Sequence, residues 1–476
     1  MTNICESEKK QNKNKPIFAR KTGLKREVNG GPQVMRLWSS FPWHKWMWLV
    51  FAVGLAIRLA WASRLPSRAQ FGEASNVAIA FAKTGTISDA FFVGQGPTAH
   101  LTPTSPVFAG LVFKYFGILT DTSGAILLSW SLLQVFTCYL LAIYIVKYSG
   151  GTKTGALICA MILNCVPVFI GQEVLVYRYW DGAFVACLCG ATLLLLLRHR
   201  YLTKPVHQWI GVATSAFTAA LCLFVNPIIG LCLGLSCIFF ALKRLTWRQA
   251  ALGLATGLLT CSATFLPWAA RNQAIMGHLI FSRDNFGLEF ALANHPNAVS
   301  DEAPLQVFLR RIQDIHPFKS ERARNIMQLR GGEVLYNQSL ASETKNWVFT
   351  HLDSFFWLTL RHISEFYFPR DWQFNYPSST ILSGPRSWLI WLISIMSILQ
   401  ILEGVLHKRE EMMYLAPVVV LPGVLYGFFQ PFPRYMYPIF PLMVALAAIW
   451  LSEWFIKLRK RVGSNSISEA TWRAHA

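Results

Sequence analysis

The chain has 476 residues, of which 53% are hydrophobic and only 14% are charged, and its mean hydropathy is +0.37. Apolar runs approaching the ~20 residues that span a bilayer recur along most of the chain, which excludes a soluble globular protein and indicates a polytopic membrane protein. The formal net charge is +20. Because the basic residues are spread over short connections and do not form one patch with interleaved aromatic residues, no nucleic-acid partner is expected.

Ten apolar runs are predicted to cross the membrane as helices, which makes the expected fold class all-α. In chain order these runs are 46–62, 124–146, 154–170, 180–197, 208–225, 227–242, 249–270, 387–406, 412–429 and 435–456. The chain opens with a polar tail and not with a short basic region followed by an apolar core. No cleavable signal peptide is therefore expected.

The basic residues fall on one side of the predicted spans. Residues 1–45 carry ten Lys and Arg against three acidic residues. The other basic connections are short and lie at 147–153, 198–204, 243–248, 408–409 and 457–461. By the positive-inside rule these segments, and with them both termini, are cytoplasmic. Counting spans from these segments places 64–123 outside as one external loop.

This topology divides the chain into five parts. They are a basic cytoplasmic tail at 1–45, expected to be disordered and able to touch anionic lipid; a transmembrane module at 46–270 that contains the external loop 64–123; an external subdomain at 271–385; C-terminal spans at 386–456; and a cytoplasmic tail at 457–476.

Helices are also predicted inside the external subdomain. Residues 271–385 are polar and balanced in charge, with 11 basic and 11 acidic side chains. Helix-like runs occur at 304–315 and 321–341. The segment 349–367 is rich in aromatic residues but interrupted by charges, which is typical of a helix lying in the membrane interface and not of a span.

A short helix is predicted at 71–85 in the external loop. Glu73 falls in its first turn, where the helix dipole favours an ionised carboxylate, and Gly85 is expected to end it. The apolar positions follow the spacing of one helix face and are Ala74, Val77, Ala78 and Phe81.

A second short helix is predicted at 106–116 in the same loop. This segment is nearly as apolar as a span, but it is much shorter than the ~20 residues needed to cross the hydrocarbon. It is therefore expected to lie along the outer interface or against protein.

Several segments occur in an order that resembles one known family. A basic tail and the first span are followed by the acidic residue that opens the helix at 71–85. The later segments are QGPTAHLTPTSPVFAGLVFKYFG at 95–117, PWAARN at 267–272, NFGLEFALANHPNA at 285–298 and PRYMYPIFPLMVALAA at 433–448. This order resembles the GT-C superfamily of polyprenyl-phosphate-sugar glycosyltransferases, which includes protein O-mannosyltransferases and aminoarabinose lipid A transferases.

The resemblance covers about residues 46–456 and implies both a fold and a function. It implies a GT-C-like bundle in which two juxtamembrane helices of the first external loop lie beside the active site. It also implies a cell inner-membrane enzyme with a periplasmic active site, which transfers a sugar from a polyprenyl-phosphate donor with inversion. The acceptor would be the hydroxyl of a lipid, protein or polysaccharide.

Two acidic residues are the catalytic candidates. Transfer to a hydroxyl needs a base, and Glu73 matches the family's catalytic acid; its alternative role is a capping acid on a surface helix. Relatives often have two acids where this chain has Gly72 and Glu73, which weakens the case for a metal bound there. Asp181 matches the family's second acid, and the alternative is an Asp paired with Arg178 at a helix start.

Basic residues at the outer membrane face are the candidates for the donor phosphate. Arg434 precedes the last span, and Arg271 follows the seventh; a guanidinium there can bind phosphate oxygens in a bidentate manner. Tyr435 is grouped with Arg434. Either arginine could instead be an interfacial anchor on lipid headgroups.

Four further residues are weaker candidates for substrate binding. His100 and Asn272 are external, Arg178 precedes Asp181, and Arg58 lies inside the first span. An unaccompanied loop histidine is more often structural. Arg58 is either functional, as ions inside a membrane tend to be, or a side chain that extends to the interface.

The main rivals are a flippase or polymerase of lipid-linked glycans and a secondary carrier. A carrier usually has repeated halves and polar groups at mid-membrane. No internal repeat is evident, and apart from Arg58 the candidate ions cluster at the outer face. The sequence does not specify the sugar, the acceptor or the cofactor: a divalent metal such as Mg²⁺ or Mn²⁺ and no metal at all are both open.

Overall fold

A computed structural model describes residues 43–66, 69–374 and 383–473. The predicted tail at 1–45 lies outside these ranges except for 43–45, which already belong to the first helix. Within the described residues every regular element is helical, apart from one isolated bridge between Ser88 and Pro97. The all-α prediction is confirmed.

The part of the chain up to residue 276 forms ten described α-helices and one 3₁₀ turn, Val176–Arg178. The helices are α1 (Trp43–Ala62), α2 (Gly72–Thr84), α3 (Thr104–Phe116), α4 (Asp121–Tyr148), α5 (Lys153–Cys165), α6 (Ile170–Val174), α7 (Gly182–His199), α8 (Pro205–Val225), α9 (Pro227–Arg244) and α10 (Trp247–Met276).

The remainder adds ten more α-helices within the described ranges, with a 3₁₀ turn at Pro296–Val299. These helices are α11 (Phe286–Ala293), α12 (Pro304–Ile315), α13 (Glu321–Leu329), α14 (Glu333–Thr350), α15 (Leu352–Tyr367), α16 (Asp371–Phe374), α17 (Ser383–Leu406), α18 (Glu410–Tyr426), α19 (Pro433–Met436) and α20 (Phe440–Arg473). The last helix therefore continues beyond 456, where the predicted span ends.

Eight described helices are long and apolar enough to cross a membrane, which makes the chain a multi-pass membrane protein. They are α1, α4, α7, α8, α9, α10, α17 and α20. Side-chain caps begin three of them: Thr120 and Ser123 form a reciprocal capping box at α4, Thr246 and Gln249 form one at α10, and the Asn226 side chain accepts from the Ile229 N–H at α9.

Two of the ten predicted spans differ from the expectation. The run 154–170 is not one continuous helix: α5 is followed by α6 and the 3₁₀ turn at a bend of 68°. Pro167 explains the break, because a residue before proline is driven out of the helical region, and Val166 is extended with φ −107° and ψ 105°. The run 412–429 corresponds to α18, which has 17 residues and extends about 26 Å at 1.5 Å per residue. This helix is shorter than the hydrocarbon core of a bilayer, which is ~30 Å thick.

The two short helices of the external loop exist and pack on each other. α2 ends at Thr84, one residue before the predicted stop at Gly85, and α3 contains the apolar segment 106–116. The helices approach closely at Gly110: a Cβ there would lie 2.8 Å from Phe81 Cδ1 and 2.9 Å from the Ala78 oxygen. This crossing holds α2, whose first turn carries Glu73, against α3.

In the external subdomain the prediction is partly correct. The helix at 304–315 is confirmed as α12. The predicted helix at 321–341 is wrong, since it is two helices, α13 and α14. Gly331 and Gly332 separate them with φ of 88° and 104°, in the left-handed region that interrupts a right-handed helix. The segment 349–367 is mostly the helix α15.

Candidate functional site

A cavity of about 610 Å³ lies where the external loop meets the external subdomain and the ends of membrane helices. Its walls include apolar side chains such as Trp61, Leu175 and Phe308. Its polar and charged lining comes from α2, α11, α12, α17, α19 and the segments beside them. This lining includes Glu73, Asn76, His100, Glu289, His316, Lys319, Arg386 and Arg434. The cavity therefore combines an apolar wall with a few convergent ionisable groups, as ligand sites do.

Glu73 points into this cavity from the first turn of α2. Its side chain is only 14% exposed. Burial raises the pKa of its carboxyl, and the nearby charges of Arg434 and Lys319 partly oppose that rise. A carboxylate with a raised pKa is a stronger base, and the two cations favour its ionised form.

Arg434 reaches the same cavity from α19. Its guanidinium lies over the rings of Phe432 and Tyr435, at 5.2 and 5.1 Å from their centroids. Burial alone would lower its pKa, but neighbouring Tyr435, Glu289 and Glu73 raise it above its usual range. Among the described residues it forms no ion pair within 4.0 Å. The guanidinium is thus charged and open to an anion.

Tyr435 links this arginine to a second carboxylate. An Nη2 of Arg434 donates to the Tyr435 hydroxyl at 3.3 Å, and that hydroxyl donates to Glu289 Oε2 at 3.4 Å. Burial raises the pKa of Glu289, which Glu73 raises further. Both bonds are long, so the arginine keeps most of its donor capacity for a ligand.

Two histidines face the carboxylates and are neutral at physiological pH. Burial lowers the pKa of His316 to about 4 and that of His100 to about 3. His316 Nε2 lies 3.6 Å from Glu73 Oε1, which is too long for a hydrogen bond and, with a neutral ring, is not an ion pair. His100 Nδ1 is buried without a partner among the described residues. His316 Nδ1 accepts from the Phe318 backbone N–H, so within the described residues His316 Nε2 and His100 Nδ1 are the ring nitrogens left for a ligand.

Of the residues expected at the site from sequence, Glu73, Arg434 and His100 line the cavity and Tyr435 adjoins it. Glu289, His316, Lys319 and Arg386 were missed. Glu289 had a signal, since it is a single acid within the apolar run FGLEFALA of α11, and such an acid rarely lies buried without a role. His316 follows the last residue of α12, and nothing local distinguishes it.

Asp181 is not among the residues that line the cavity. Its carboxylate accepts hydrogen bonds from the hydroxyls of Thr102 and Ser105 and from the Ser105 backbone N–H. Arg283 Nη2 lies 3.5 Å from Asp181 Oδ2, so Arg283 forms the ion pair for which Arg178 was the expected partner. The Arg178 Nε donates to the Val174 carbonyl. Asp181 thereby ties the start of α3 to α7.

Arg271 and Asn272 also lie outside the cavity lining. Arg271 donates to the carbonyls of Thr98 and Ile87, at 2.9 and 2.6 Å, and lies over the Trp268 ring. Asn272 accepts from Arg271 and donates to the Ile280 carbonyl. Arg271 is thus engaged by the backbone of the external loop and Asn272 by that of Ile280, and the phosphate-binding role of Arg271 stays a prediction.

Arg58 is fully buried inside the membrane bundle, so it does not extend to the interface. Its guanidinium donates to Glu173, to Tyr139 and to three carbonyls. Tyr139 and Tyr437 in turn donate to Glu173. Every donor of this arginine has a partner, which is the pattern of a structural ion pair.

No group of three or more His, Cys, Asp or Glu side chains within the described ranges is arranged to hold a metal ion. Glu73, Glu289 and His316 share the cavity but do not converge on one point. Among the described residues the donor set therefore does not fit a bound divalent metal.

No protein-family model and no curated protein matches the sequence. Solved structures do match. The apo oligosaccharyltransferase of Archaeoglobus fulgidus aligns at a TM-score of 0.51 and 14% identity, over 90% of this chain and 52% of that one. AglB from the same organism, in complex with an inhibitory peptide and a dolichol-phosphate, gives 0.46 and 14%, over 88% and 52%.

ArnT from Cupriavidus metallidurans, bound to undecaprenyl phosphate, matches at a TM-score of 0.37 and 13% identity, over 85% of this chain and 78% of that one. The chain spans about half the length of the oligosaccharyltransferases that it matches. At these identities the first match shows the fold. This chain shares the helical fold of that oligosaccharyltransferase, which is the kind of fold that the resemblance implied.

Proposed function

We propose that the protein is a membrane glycosyltransferase that moves a sugar from a polyprenyl-phosphate carrier to an acceptor hydroxyl. One observation carries the proposal: Glu73 and Arg434, a partly buried base and a partly buried cation without a close ion pair among the described residues, share one cavity at the ends of membrane helices. The fold supports it, because the archaeal enzyme with the same fold is an oligosaccharyltransferase.

The reaction is a single displacement. Glu73 takes the proton of the acceptor hydroxyl as its oxygen attacks the anomeric carbon of the sugar. The bond between that carbon and the phosphate oxygen breaks, and the polyprenyl phosphate leaves with the electron pair. Arg434 stabilises the charge on the leaving phosphate. Attack from the side opposite the leaving group inverts the configuration at the anomeric carbon.

We assign supporting roles to the residues that surround this pair. His316 and His100, which are neutral, orient the acceptor or the sugar by hydrogen bonds. Tyr435 and Glu289 position Arg434. Asp181, with its Thr102 and Ser105 partners, is a positioning residue that holds the external loop over the cavity.

The proposal also includes an orientation. The basic connections are cytoplasmic by the positive-inside rule, so the cavity opens on the periplasmic side of the inner membrane, where a lipid carrier delivers its sugar. The apolar wall at Trp61 and Leu175 suits the first isoprene units of such a carrier.

The test uses the full chain in proteoliposomes with a panel of polyprenyl-phosphate sugars and with lipid, peptide and glycan acceptors. Mass spectrometry follows product and released carrier, and carrier binding is measured in parallel. The proposal requires that wild type releases carrier, that Glu73→Gln binds carrier without releasing it, and that Arg434→Gln loses binding. Binding without turnover in wild type on every donor would favour a flippase or carrier.

A further inference from the structure

His316 is held from several sides where α12 ends at the cavity. Its backbone N–H donates to the Ile312 carbonyl, and its own carbonyl accepts from the backbone N–H groups of Lys319 and Ser320. The Phe91 ring meets the imidazole edge-on, with the two centroids 5.8 Å apart. The imidazole therefore lines the cavity from a position that the fold fixes.

The turn that follows α12 determines which ring nitrogen of His316 carries the proton. The Phe318 backbone N–H donates to His316 Nδ1 at 3.3 Å, so Nδ1 presents its lone pair. Burial lowers the pKa of His316 to about 4, and a neutral imidazole has one ring proton. That proton lies on Nε2, which makes Nε2–H a hydrogen-bond donor at physiological pH.

This donor faces the proposed general base across a gap. His316 Nε2 and Glu73 Oε1 are 3.6 Å apart, which is beyond the length of a hydrogen bond. One further atom can lie at the ordinary hydrogen-bond distance of ~2.8 Å from both, because the three atoms then form a triangle. The gap thus presents one acceptor and one donor to a single atom of a ligand.

We propose that His316 and Glu73 together hold the attacking oxygen of the acceptor, and that this pair selects a hydroxyl over an amide nitrogen. The inference rests on the proposed function and refines its acceptor. The hydroxyl proton passes to Glu73, one oxygen lone pair accepts from His316 Nε2–H, and the other forms the bond to the anomeric carbon. The polyprenyl phosphate leaves with the electron pair of the bond that breaks, and His316 keeps its proton throughout.

An amide nitrogen does not suit this gap. It donates hydrogen bonds but does not accept them, because its lone pair is delocalised into the carbonyl. Beside Glu73 it would place itself against His316 Nε2–H, and that donor would be left without an acceptor in a buried site. An unsatisfied donor of this kind costs free energy, so the pair favours a hydroxyl.

Two substitutions separate the Nε2–H donor from the rest of the imidazole. His316→Gln places its amide near the position of Nε2 and keeps an N–H donor at the gap. His316→Asn places its amide near the position of Nδ1, where it can still accept from the Phe318 N–H but does not reach the gap. The pair therefore tests the donor with the local turn left in place.

Transfer is measured in proteoliposomes, with the polyprenyl-phosphate sugar that wild type turns over and a hydroxyl acceptor. His316→Asn should lower kcat/KM for the acceptor by about tenfold to a hundredfold, the usual effect of leaving a buried polar group unpaired. His316→Gln should recover most of that loss. Both variants should bind polyprenyl monophosphate within about twofold of wild type, which shows that they are folded and that the carrier site is separate.

Selectivity is measured with two acceptors of one skeleton, the second with a primary amide in place of the reacting hydroxyl. Wild type should use the hydroxyl acceptor at least about tenfold better in kcat/KM. His316→Asn should narrow this ratio, because it loses transfer to the hydroxyl acceptor and has no contact to lose with the amide.

Three results would overturn the role of His316. They are wild-type kcat/KM in His316→Asn, a His316→Gln variant as impaired as His316→Asn, and a wild type that uses both acceptors equally well. Failure of the proposed function is distinguishable, since wild type would then transfer sugar to neither acceptor, and the inference would fall with it. If wild type transfers sugar, Glu73→Gln does not and His316→Asn matches wild type, the proposed function stands and only the role of His316 fails.

Discussion

Two ionic groups in this molecule, one fully buried in the membrane bundle and one lining the cavity, differ in how many of their polar atoms have partners. Inside the membrane, Arg58 has a partner for every donor, and Glu173 accepts from the arginine and from two tyrosines. In the cavity, among the described residues, Glu73 is 3.6 Å from its nearest basic nitrogen, His316 Nε2, and Arg434 forms one hydrogen bond, a long one to Tyr435. The first group is complete without a ligand, and the second is not.

The difference separates stability from function. A buried ion pair whose polar atoms all have partners fixes the relative positions of helices. Removing one member leaves the other charged and unpaired. An unsaturated pair in a cavity contributes little to folding but keeps its acceptors and donors for a substrate. Burial alone does not distinguish the two cases; the count of satisfied polar atoms does.

Glu73→Gln should have the largest effect on activity. Loss of a general base typically lowers kcat by ~10²–10⁴-fold. The free energy of unfolding should change little, because the carboxylate has no close partner to lose. The measurement is carrier release in proteoliposomes beside thermal unfolding in detergent. If Glu73→Gln were active, another residue would be the general base, and Glu289 would be tested next.

Arg58→Met should have the complementary effect. The substitution leaves Glu173 buried without its cation, which should cost about 3–5 kcal/mol of unfolding free energy. Replacing both members, in Arg58→Met/Glu173→Leu, should recover most of that loss, because no buried charge is then left unpaired. Activity per folded molecule should stay close to wild type in the double variant. If Arg58→Met were as stable as wild type, the ion pair of Arg58 and Glu173 would not be structural.

The sequence predicted more of the fold than of the site. Apolar periodicity is a local property of the sequence, so the helices α2 and α12 could be predicted. Pro167 is also a local signal, but the bend that it causes was not expected in the span at 154–170. Glu73 and Arg434 could be placed at the cavity from sequence because their residue types, at the predicted outer face, match the pattern of the family that the chain resembles. The hydrogen-bond partners of a buried polar group cannot be read from the local sequence. Two partners of Arg58, Glu173 and Asn164, lie about 100 residues away along the chain. The same distance hid Arg283 as the partner of Asp181.

Asp181→Asn should have an intermediate effect, since it weakens an anchor and removes no reacting group. The variant loses the ion pair with Arg283 and places an amide N–H₂ against one of the donors from Thr102 and Ser105. We expect about 1–3 kcal/mol of destabilisation and a fall in kcat/KM through a misplaced α2–α3 loop. Unlike Glu73→Gln, it should keep measurable turnover with the wild-type pH profile. A loss of turnover equal to that of Glu73→Gln, in a stably folded variant, would make Asp181 catalytic.

Glu333 is a third kind of buried carboxylate, between the two extremes. At the start of α14 it accepts from Gln95, Thr98 and Ala99, and so ties the external subdomain to the loop that carries His100. Burial nevertheless raises its pKa to about 7, against the effect of these bonds. Asp284 nearby has a pKa raised to about 7 by burial and by Glu333.

This raised pKa predicts a small pH dependence of stability. The unfolded carboxyl ionises near its usual value of 4.5, so the folded chain holds the proton over a range in which the unfolded chain has lost it. The contribution to the free energy of unfolding is therefore fully present below about 4.5 and is lost as the pH rises to 7, by about 1–3 kcal/mol. Glu333→Gln cannot ionise, so its stability should fall less over this range in thermal unfolding between pH 5 and pH 8. Parallel curves for variant and wild type would show that three hydrogen bonds hold Glu333 ionised, as in a fully satisfied carboxylate.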